Sequence, residues 1–241
     1  MILVFTDFGL GGSYMGEMRA AILRRVPRMP VVDLVADAPA FRPDLAAFLL
    51  AALWPTTTAR DVVLAVVDPG VGTDRLPLAI EVDGRWLVGP DNGLFEPILR
   101  RAERFAAHRI VWQPPRLSAS FHGRDLFAPV AAMLARGERP ELAPVVPRRF
   151  PDWPDDLPAI VHVDGYGNAV TGLRAATLAE GSVLRAAGRT LQRARTFGEV
   201  PAGAVFWYEN SSGLAEIAVN GGRAAAVLGL EPGSPAEVGP P

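Results

Sequence analysis

Apolar and polar positions follow two regimes along the chain, and the change falls near residue 140. In the first, Ile2-Leu3-Val4-Phe5 reads as a buried strand, followed by a glycine-rich turn and a helix from near Ser13. That helix carries Met15, Met18 and Ile22 at spacings of three and four and must stop before Pro27. Residues 31–35 read as a second strand, Pro43 opens a helix through Leu53 that Trp54-Pro55 closes, and residues 62–67 return as a strand. This β-α-β-α-β order predicts a parallel sheet. Residues 78–82 and 85–88 flank Asp83-Gly84, a two-residue hairpin signal of type I′, so the sheet is expected to be mixed. A helix at 97–102, a strand at 110–112 and a helix from about Arg124 to Ala135, ended by Gly137, complete this part.

From 140 to 158 six prolines stand at 140, 144, 147, 151, 154 and 158 with almost no periodic apolar pattern. This predicts an N-terminal α/β domain over 1–141, a proline-rich linker over 142–158 and a second domain over 159–241. The second domain shows short β-type runs at 159–163, 204–208, 215–219 and 224–228, separated by Gly and Asn turns. The expected fold class is α/β: a largely parallel or mixed central sheet, then a smaller barrel-like β domain.

The 241 residues suffice for a substantial core. Lys plus Arg number 24 and Asp plus Glu 26, a net charge of -2, so no basic excess points to nucleic acid or an anionic membrane. A small-molecule ligand fits better. The absence of cysteine excludes disulfides, Cys-ligated zinc, iron-sulfur clusters and a thiol nucleophile. The apolar start is broken by Asp7 and lacks a basic flank, which predicts neither a signal peptide nor a membrane span and places the protein in the cytoplasm.

Candidate chemistry begins where the strand at 62–67 ends, in Asp68-Pro69-Gly70-Val71-Gly72-Thr73-Asp74-Arg75. In open α/β sheets ligands sit beyond the carboxyl ends of the strands, so an acid there with an arginine shortly after is well placed. A polar strand-to-loop turn explains the same residues. Asp7, at the end of the first strand, is placed to accept ribose hydroxyls, or else to cap the next helix. The letters Asp7-Phe8-Gly9 match a kinase element without its partner loops, and Gly9, Gly11, Gly12 and Gly16 fit neither a dinucleotide fingerprint nor a phosphate loop.

Ser120-Phe121-His122-Gly123-Arg124-Asp125 stands at a helix entrance, where an anion is favoured. His122 is singled out by these polar neighbours, whereas His108 and His162 are read as structural. Gly89-Pro90-Asp91-Asn92-Gly93 has turn composition and is assigned to the pocket wall. In the second domain Asp164-Gly165-Tyr166-Gly167-Asn168 puts an acid, an aromatic and an amide in one loop, suited to an amine, a stacked base and an adenine edge; tight-turn chemistry accounts for it too. Tyr208-Glu209-Asn210-Ser211-Ser212-Gly213 is a second such polar loop.

Together these segments, with Tyr14 to Met18, Phe121 to Pro129 and Asn210 to Asn220, resemble the S-adenosylmethionine hydroxide adenosyltransferase family, relatives of bacterial fluorinase and chlorinase. The resemblance implies an N-terminal α/β domain, a C-terminal β domain and a homotrimer with active sites between one subunit's first domain and its neighbour's second. It implies hydrolysis of S-adenosyl-L-methionine to adenosine and L-methionine. That displacement requires no metal, the sequence offers no convincing ligand cluster for one, and no cofactor is expected. Asp68, Arg75 and His122 match the family's water-handling set and Asp7 its ribose-binding acid. Asp164 resembles the acid that meets the methionine amine, Tyr166 the ring on adenine, Asn168 the adenine amide contact and Ser211 a carboxylate contact.

The departures bear on the reaction. Gly123 stands where halogenating relatives carry a serine, Asp68 where they carry a tyrosine, and a carboxylate repels halide. Tyr166 replaces the more usual phenylalanine, and Ser212 stands in place of an arginine. Attack at ribose C5′ displaces a neutral thioether, so no general acid is needed and the difficulty lies in activating water. Three other readings stay open: an S-adenosylmethionine sensor without turnover, a carboxylate and histidine metal hydrolase, and a halide-dependent adenosyltransferase.

Overall fold

Three of the apolar runs, β1 (Ile2–Thr6), β2 (Val31–Val35) and β3 (Val62–Val66), pair in parallel in the computed structural model, which describes residues 1–240. Every residue of β1 and β3 is buried, as strands covered on both faces require. The sheet is mixed: β4 (Pro77–Val82) and β5 (Arg85–Pro90) form the expected hairpin, and β5 runs parallel to β3. Asp83 and Gly84 have φ of 49° and 80°, the left-handed pair that a type I′ turn needs. With β6 (Phe105–Ile110) and β7 (Leu142–Pro144) the order is β2-β1-β3-β5-β4-β6-β7.

The expected helices form as α1 (Tyr14–Arg25), α2 (Pro43–Leu53), α3 (Glu96–Arg101) and α4 (Ala128–Ala135). Met15, Met18 and Ile22 of α1 enter one core with Ile2, Val4, Leu64 and the apolar residues of α4. Met18 and Ile22 are completely buried, each contributing about 1.5–3 kcal/mol. Leu3 and Phe5 are buried on the opposite face of β1.

Two local expectations need correction. The strand placed at 110–112 lies upstream as β6, because Phe105, Ala106 and Arg109 are exposed and give that strand no continuous apolar signature. The helix expected over 124–135 is interrupted: Gly123–Phe127 is a π-helical turn in which the Ala128 N–H bonds the Gly123 carbonyl. Pro129 lacks the N–H that the Asp125 carbonyl would receive in a regular α-helix, so the wider turn is accommodated there.

Chain contacts divide the molecule into two units, Met1–Phe150 and Pro151–Pro241. The segment expected as a linker over 142–158 starts as β7 and ends inside β8 (Leu157–Val163). Between them, residues 148–150 are fastened to the first unit. The Arg148 N–H donates to Asp91 at 3.0 Å, Arg149 pairs with buried Glu96 at 2.8 Å, and Arg100 donates to the Phe150 carbonyl at 2.9 Å.

The second unit contains β9 (Ala169–Arg174), β10 (Val183–Ala186), β11 (Arg189–Leu191), β12 (Val205–Glu209), β13 (Leu214–Val219), a short α5 (Ala224–Leu228) and β14 (Glu237–Gly239). They form antiparallel sheets in the orders β12-β13-β9-β8 and β11-β10-β14. The barrel-like character is present in outline. The Ala159–Pro235 and Arg193–Trp207 bridges join the edges of the two sheets, flanked by backbone bonds from the Ile160 N–H to the Ser234 carbonyl at 2.8 Å and from the Trp207 N–H to the Gln192 carbonyl at 3.0 Å, although no closed barrel forms among the described residues. Residues 224–228, expected as a strand, are helical: three consecutive alanines favour helix, and Gly229 at φ 64° caps it. No helix among the described residues is long and apolar enough to cross a membrane.

Candidate active site

Asp7 and Asp68 leave the sheet side by side because Thr6 of β1 is in parallel register with Val66 of β3. Beyond these carboxyl ends lies a cavity of about 300 Å³ whose wall includes Asp7, Phe8, Tyr14, Phe41, Asp68 and His122. This is the crevice where open α/β sheets bind ligands.

Asp68 is held by Arg75, seven residues on, in a two-pronged ion pair. Arg75 Nε lies 3.0 Å from each carboxylate oxygen and Nη2 lies 2.5 Å from Oδ2. The side chains are only 8% and 5% exposed, so little solvent weakens the pair. The intervening loop closes on itself through the Thr73 N–H and hydroxyl, both bonded to the Gly70 carbonyl. Gly72, at φ 79°, rests against the 118–122 segment: a Cβ there would stand 2.5 Å from the Ala119 carbonyl oxygen. Only glycine fits.

His122 closes the set. Its Nδ1 lies 2.9 Å from Arg75 Nη2. A guanidinium can only donate, so Nδ1 accepts and the neutral ring carries its proton on Nε2. Burial pushes the His122 pKa down, and the Arg75 charge pushes it further in the same direction. The turn that follows His122 is braced by Arg124, which bonds Asp125 at 2.6 Å and Glu17 of α1 at 2.7 Å. Gly123 has little spare room: a Cβ would come within 3.2 Å of Phe121 and 3.3 Å of Phe8.

Asp7 accepts the Phe41 N–H at 3.0 Å, and Phe41 adopts φ 60°. Burial raises the Asp7 pKa above its ordinary 3.8, the Phe41 amide opposes this, and nearby Asp68 adds to it. Asn92, read only as part of a turn, has a more specific place. Its Nδ2 donates to the Val67 carbonyl at 2.8 Å, pinning the chain next to Asp68.

The second unit holds its own group of expected residues around a cavity of about 700 Å³ that includes Asp164, Tyr166, Asn168 and Ser211. Asp164 Oδ1 accepts the N–H groups of Tyr166 at 2.9 Å and Asn168 at 2.8 Å, so this acid also shapes its own loop. Tyr166 is 80% exposed, its ring free to stack. Two polar side chains of this pocket, Tyr208 and Glu216, lie inside segments read from the sequence without being assigned a role of their own. The signal for Glu216 was a lone acid inside the apolar run of β13. Among the described residues no group of three or more His, Cys, Asp or Glu side chains is arranged to hold a metal ion.

The first unit is thus an α/β domain with an acid at each of two neighbouring strand ends, the second ion-paired to an arginine that also reaches a histidine, and a β unit follows it. The chain belongs to the SAM hydroxide adenosyltransferase family: its N-terminal domain model matches residues 2–143 and its C-terminal domain model residues 158–237. A Thermus thermophilus protein named (R)-S-adenosyl-L-methionine hydrolase is 42% identical, over 97% of each chain. A Salinispora arenicola protein of the same name is 37% identical, over 95% of this chain and 93% of its own. Among solved structures, an uncharacterized conserved protein from Thermotoga maritima superposes with a TM-score of 0.84 at 27% identity, covering 99% of both chains.

Proposed function

We propose that this protein hydrolyses S-adenosyl-L-methionine to adenosine and L-methionine, with water attacking ribose C5′. Relatives bearing the hydrolase name match along nearly the whole chain. The observation that carries the chemical reading is the Asp68–Arg75–His122 chain, whose two ends, Asp68 and His122, stand on the cavity wall.

In this reading the O–C5′ bond forms as the C5′–S bond breaks, and the bonding electron pair leaves with sulfur as a neutral thioether. The positive charge of the sulfonium is discharged as sulfur takes that pair, and the attacking water loses one proton, which passes by way of the Asp68 carboxylate to bulk solvent. His122, protonated on Nε2, is a donor rather than a base: it holds one lone pair of the water while the other faces C5′. Asp68 keeps lone pairs beyond those bound to Arg75 and takes a hydrogen bond from the water, polarising it as attack develops. Arg75 fixes both partners. Asp7 receives the ribose hydroxyls; Asp164, Tyr166, Asn168 and Ser211 take the amine, the adenine ring, its edge and the carboxylate, as the family resemblance implies.

No cofactor or metal enters this scheme. The working form is a cytoplasmic homotrimer in which one subunit's first unit meets its neighbour's second. What supports this assembly is the resemblance and the open state of the pocket walls: Tyr14 and Phe41 in one cavity are 54% and 73% exposed, and Tyr166 in the other 80%.

The test is incubation with S-adenosylmethionine in ¹⁸O-water, with products identified by mass and the mass of the assembly measured by light scattering. The label is expected in the adenosine 5′-hydroxyl. Label in methionine, or intact substrate after prolonged incubation, overturns the reading. Activity that chelator abolishes and added metal restores would overturn the metal-free scheme.

A further inference from the structure

Glu216 is an acid in the middle of β13, 5% exposed, with every other residue of that strand buried and apolar. A carboxylate is costly in such a place unless hydrogen bonded, and this one is bonded on both oxygens. The Tyr208 hydroxyl donates to Oε1 at 2.5 Å and Asn210 Nδ2 donates to Oε2 at 2.8 Å. All three residues line the cavity of the second unit. Asn210 Oδ1 is itself occupied, accepting the N–H groups of Ser212 at 2.9 Å and Leu214 at 3.0 Å.

These bonds set the polarity of the pocket. Tyr208 has a single proton and spends it on Glu216, so its oxygen offers a ligand only lone pairs. Burial and the Glu216 hydrogen bond both raise the Tyr208 pKa, so the hydroxyl keeps that proton. Asp164 contributes further acceptors, and neither Lys nor Arg lines this cavity among the described residues. The wall is rich in acceptors, and its charged lining residues, Asp164 and Glu216, are both acids, while nearby Arg223 is turned to the Gly165 carbonyl at 3.1 Å, which suits a cation that carries N–H donors.

We infer that Glu216 is a specificity-determining residue: by holding the Tyr208 hydroxyl proton and the Asn210 amide it makes this half of the site select the ammonium group of the substrate. The inference rests on the hydrolase reading for the identity of the substrate, but it acts through Tyr208 and the local charge. It adds a selector behind Asp164.

Two inert thioethers separate this role from a structural one, 5′-methylthioadenosine and its analogue with a 3-aminopropyl group in place of methyl. They differ in the ammonium arm. In calorimetric titrations, Glu216→Gln is expected to weaken the aminopropyl compound about tenfold and methylthioadenosine less than about twofold. Equal weakening of both, or no weakening of either, overturns the inference. If Glu216→Gln does not fold, Tyr208→Phe removes the acceptor oxygen and carries the same expectation and the same two overturning outcomes. Neither probe requires turnover, so failure of the hydrolase reading registers separately, as wild-type protein that forms no adenosine.

Discussion

Arg75 Nη2 donates to His122 Nδ1 across 2.9 Å, and this contact decides what the histidine can do. Its proton sits on Nε2, so the ring enters the cavity as a donor. The same Nη2 reaches Asp68 Oδ2 at 2.5 Å, so one guanidinium nitrogen couples an acid and an imidazole that are 54 positions apart by number. Carboxylate and guanidinium charges cancel, and a neutral His122 leaves the chain of three without net charge. Protonating His122 would set two cations face to face beside a poorly solvated wall.

The pH dependence follows from the direction of that shift. His122 is held below the ordinary histidine value of 6.5, so turnover is expected to be level above 6.5 and to fall only on a more acidic limb. The sign for stability is the same: a depressed histidine gives stability that is fully present above its unfolded pKa and lost as pH falls through the folded one. A kcat profile measured from pH 4 to 9, on the order of five pH units, checks this. An activity that drops as pH falls from about 8 to 7 would contradict a neutral His122.

Asp7 gives the opposite sign. Its folded pKa is raised by burial, so the ionised carboxylate costs stability once pH rises through that value. Asp7→Asn keeps an acceptor for the Phe41 N–H and removes the buried charge. It is expected to raise Tm at pH 7 while raising KM for S-adenosylmethionine about tenfold, because a ribose hydroxyl loses a charged acceptor. A lower Tm with unchanged KM would count against both assignments.

Asp68→Asn and Arg75→Lys test the ion pair. Lysine cannot reproduce a two-pronged contact and also reach His122, so each variant is expected to lower kcat at least about 100-fold. Leaving one partner of a pair buried and uncompensated also costs about 3–5 kcal/mol of stability, so thermal unfolding is measured in parallel. Variants that remain folded and turn over at the wild-type rate would remove this pair from the chemistry.

The parallel half of the first sheet is legible because β1 and β3 are almost wholly apolar, β2 is broken only by Asp33, and α1 carries an unbroken stripe of Met15, Met18 and Ile22. β6 escapes the apolar pattern because half its residues face solvent, and α5 resembles a strand in sequence because Ala224 to Leu228 is apolar with no period to separate the two. β9, β10 and β11 went unread, since runs of three to six residues with Arg174, Arg185 or Arg189 inside them do not announce themselves. At the site, Asp7, Asp68, Arg75 and His122 were visible as polar groups at strand ends and a helix entrance. What their spacing did not contain was the hydrogen-bond order: that Arg75 serves two partners, that Asn92 pins Val67, or that Tyr208 gives its proton to Glu216.

Gly72 joins the Asp68 loop to the segment leading to His122. Gly72→Ala demands a left-handed backbone from an L residue and places a methyl 2.5 Å from the Ala119 carbonyl oxygen, a backbone atom with little freedom to yield. A loss of about 1–3 kcal/mol is expected. Because the displaced segment runs on to His122, kcat should fall about tenfold more than for an alanine placed at Gly11, which has open space and no positive φ. Equal activity in the two variants would show that the Gly72 contact does not hold the catalytic geometry.

Gly123 is where halogenating relatives carry serine, which makes Gly123→Ser the direct attempt at halide chemistry. The cavity opposes it on two counts. The new Cβ would stand 3.2 Å from Phe121 and 3.3 Å from Phe8, so these rings must shift by a few tenths of an ångström. Asp68 also remains as a carboxylate on the same cavity wall, repelling any anion that approaches. The variant is expected to lose about tenfold or more of its hydrolytic rate without forming 5′-halogenated adenosine in chloride or fluoride. Gly123→Ser combined with Asp68→Asn should still form none, because Arg75 then loses the partner that fixes it against His122. Halogenated product from the single variant would show that neither the crowding nor the Asp68 charge governs the choice of nucleophile.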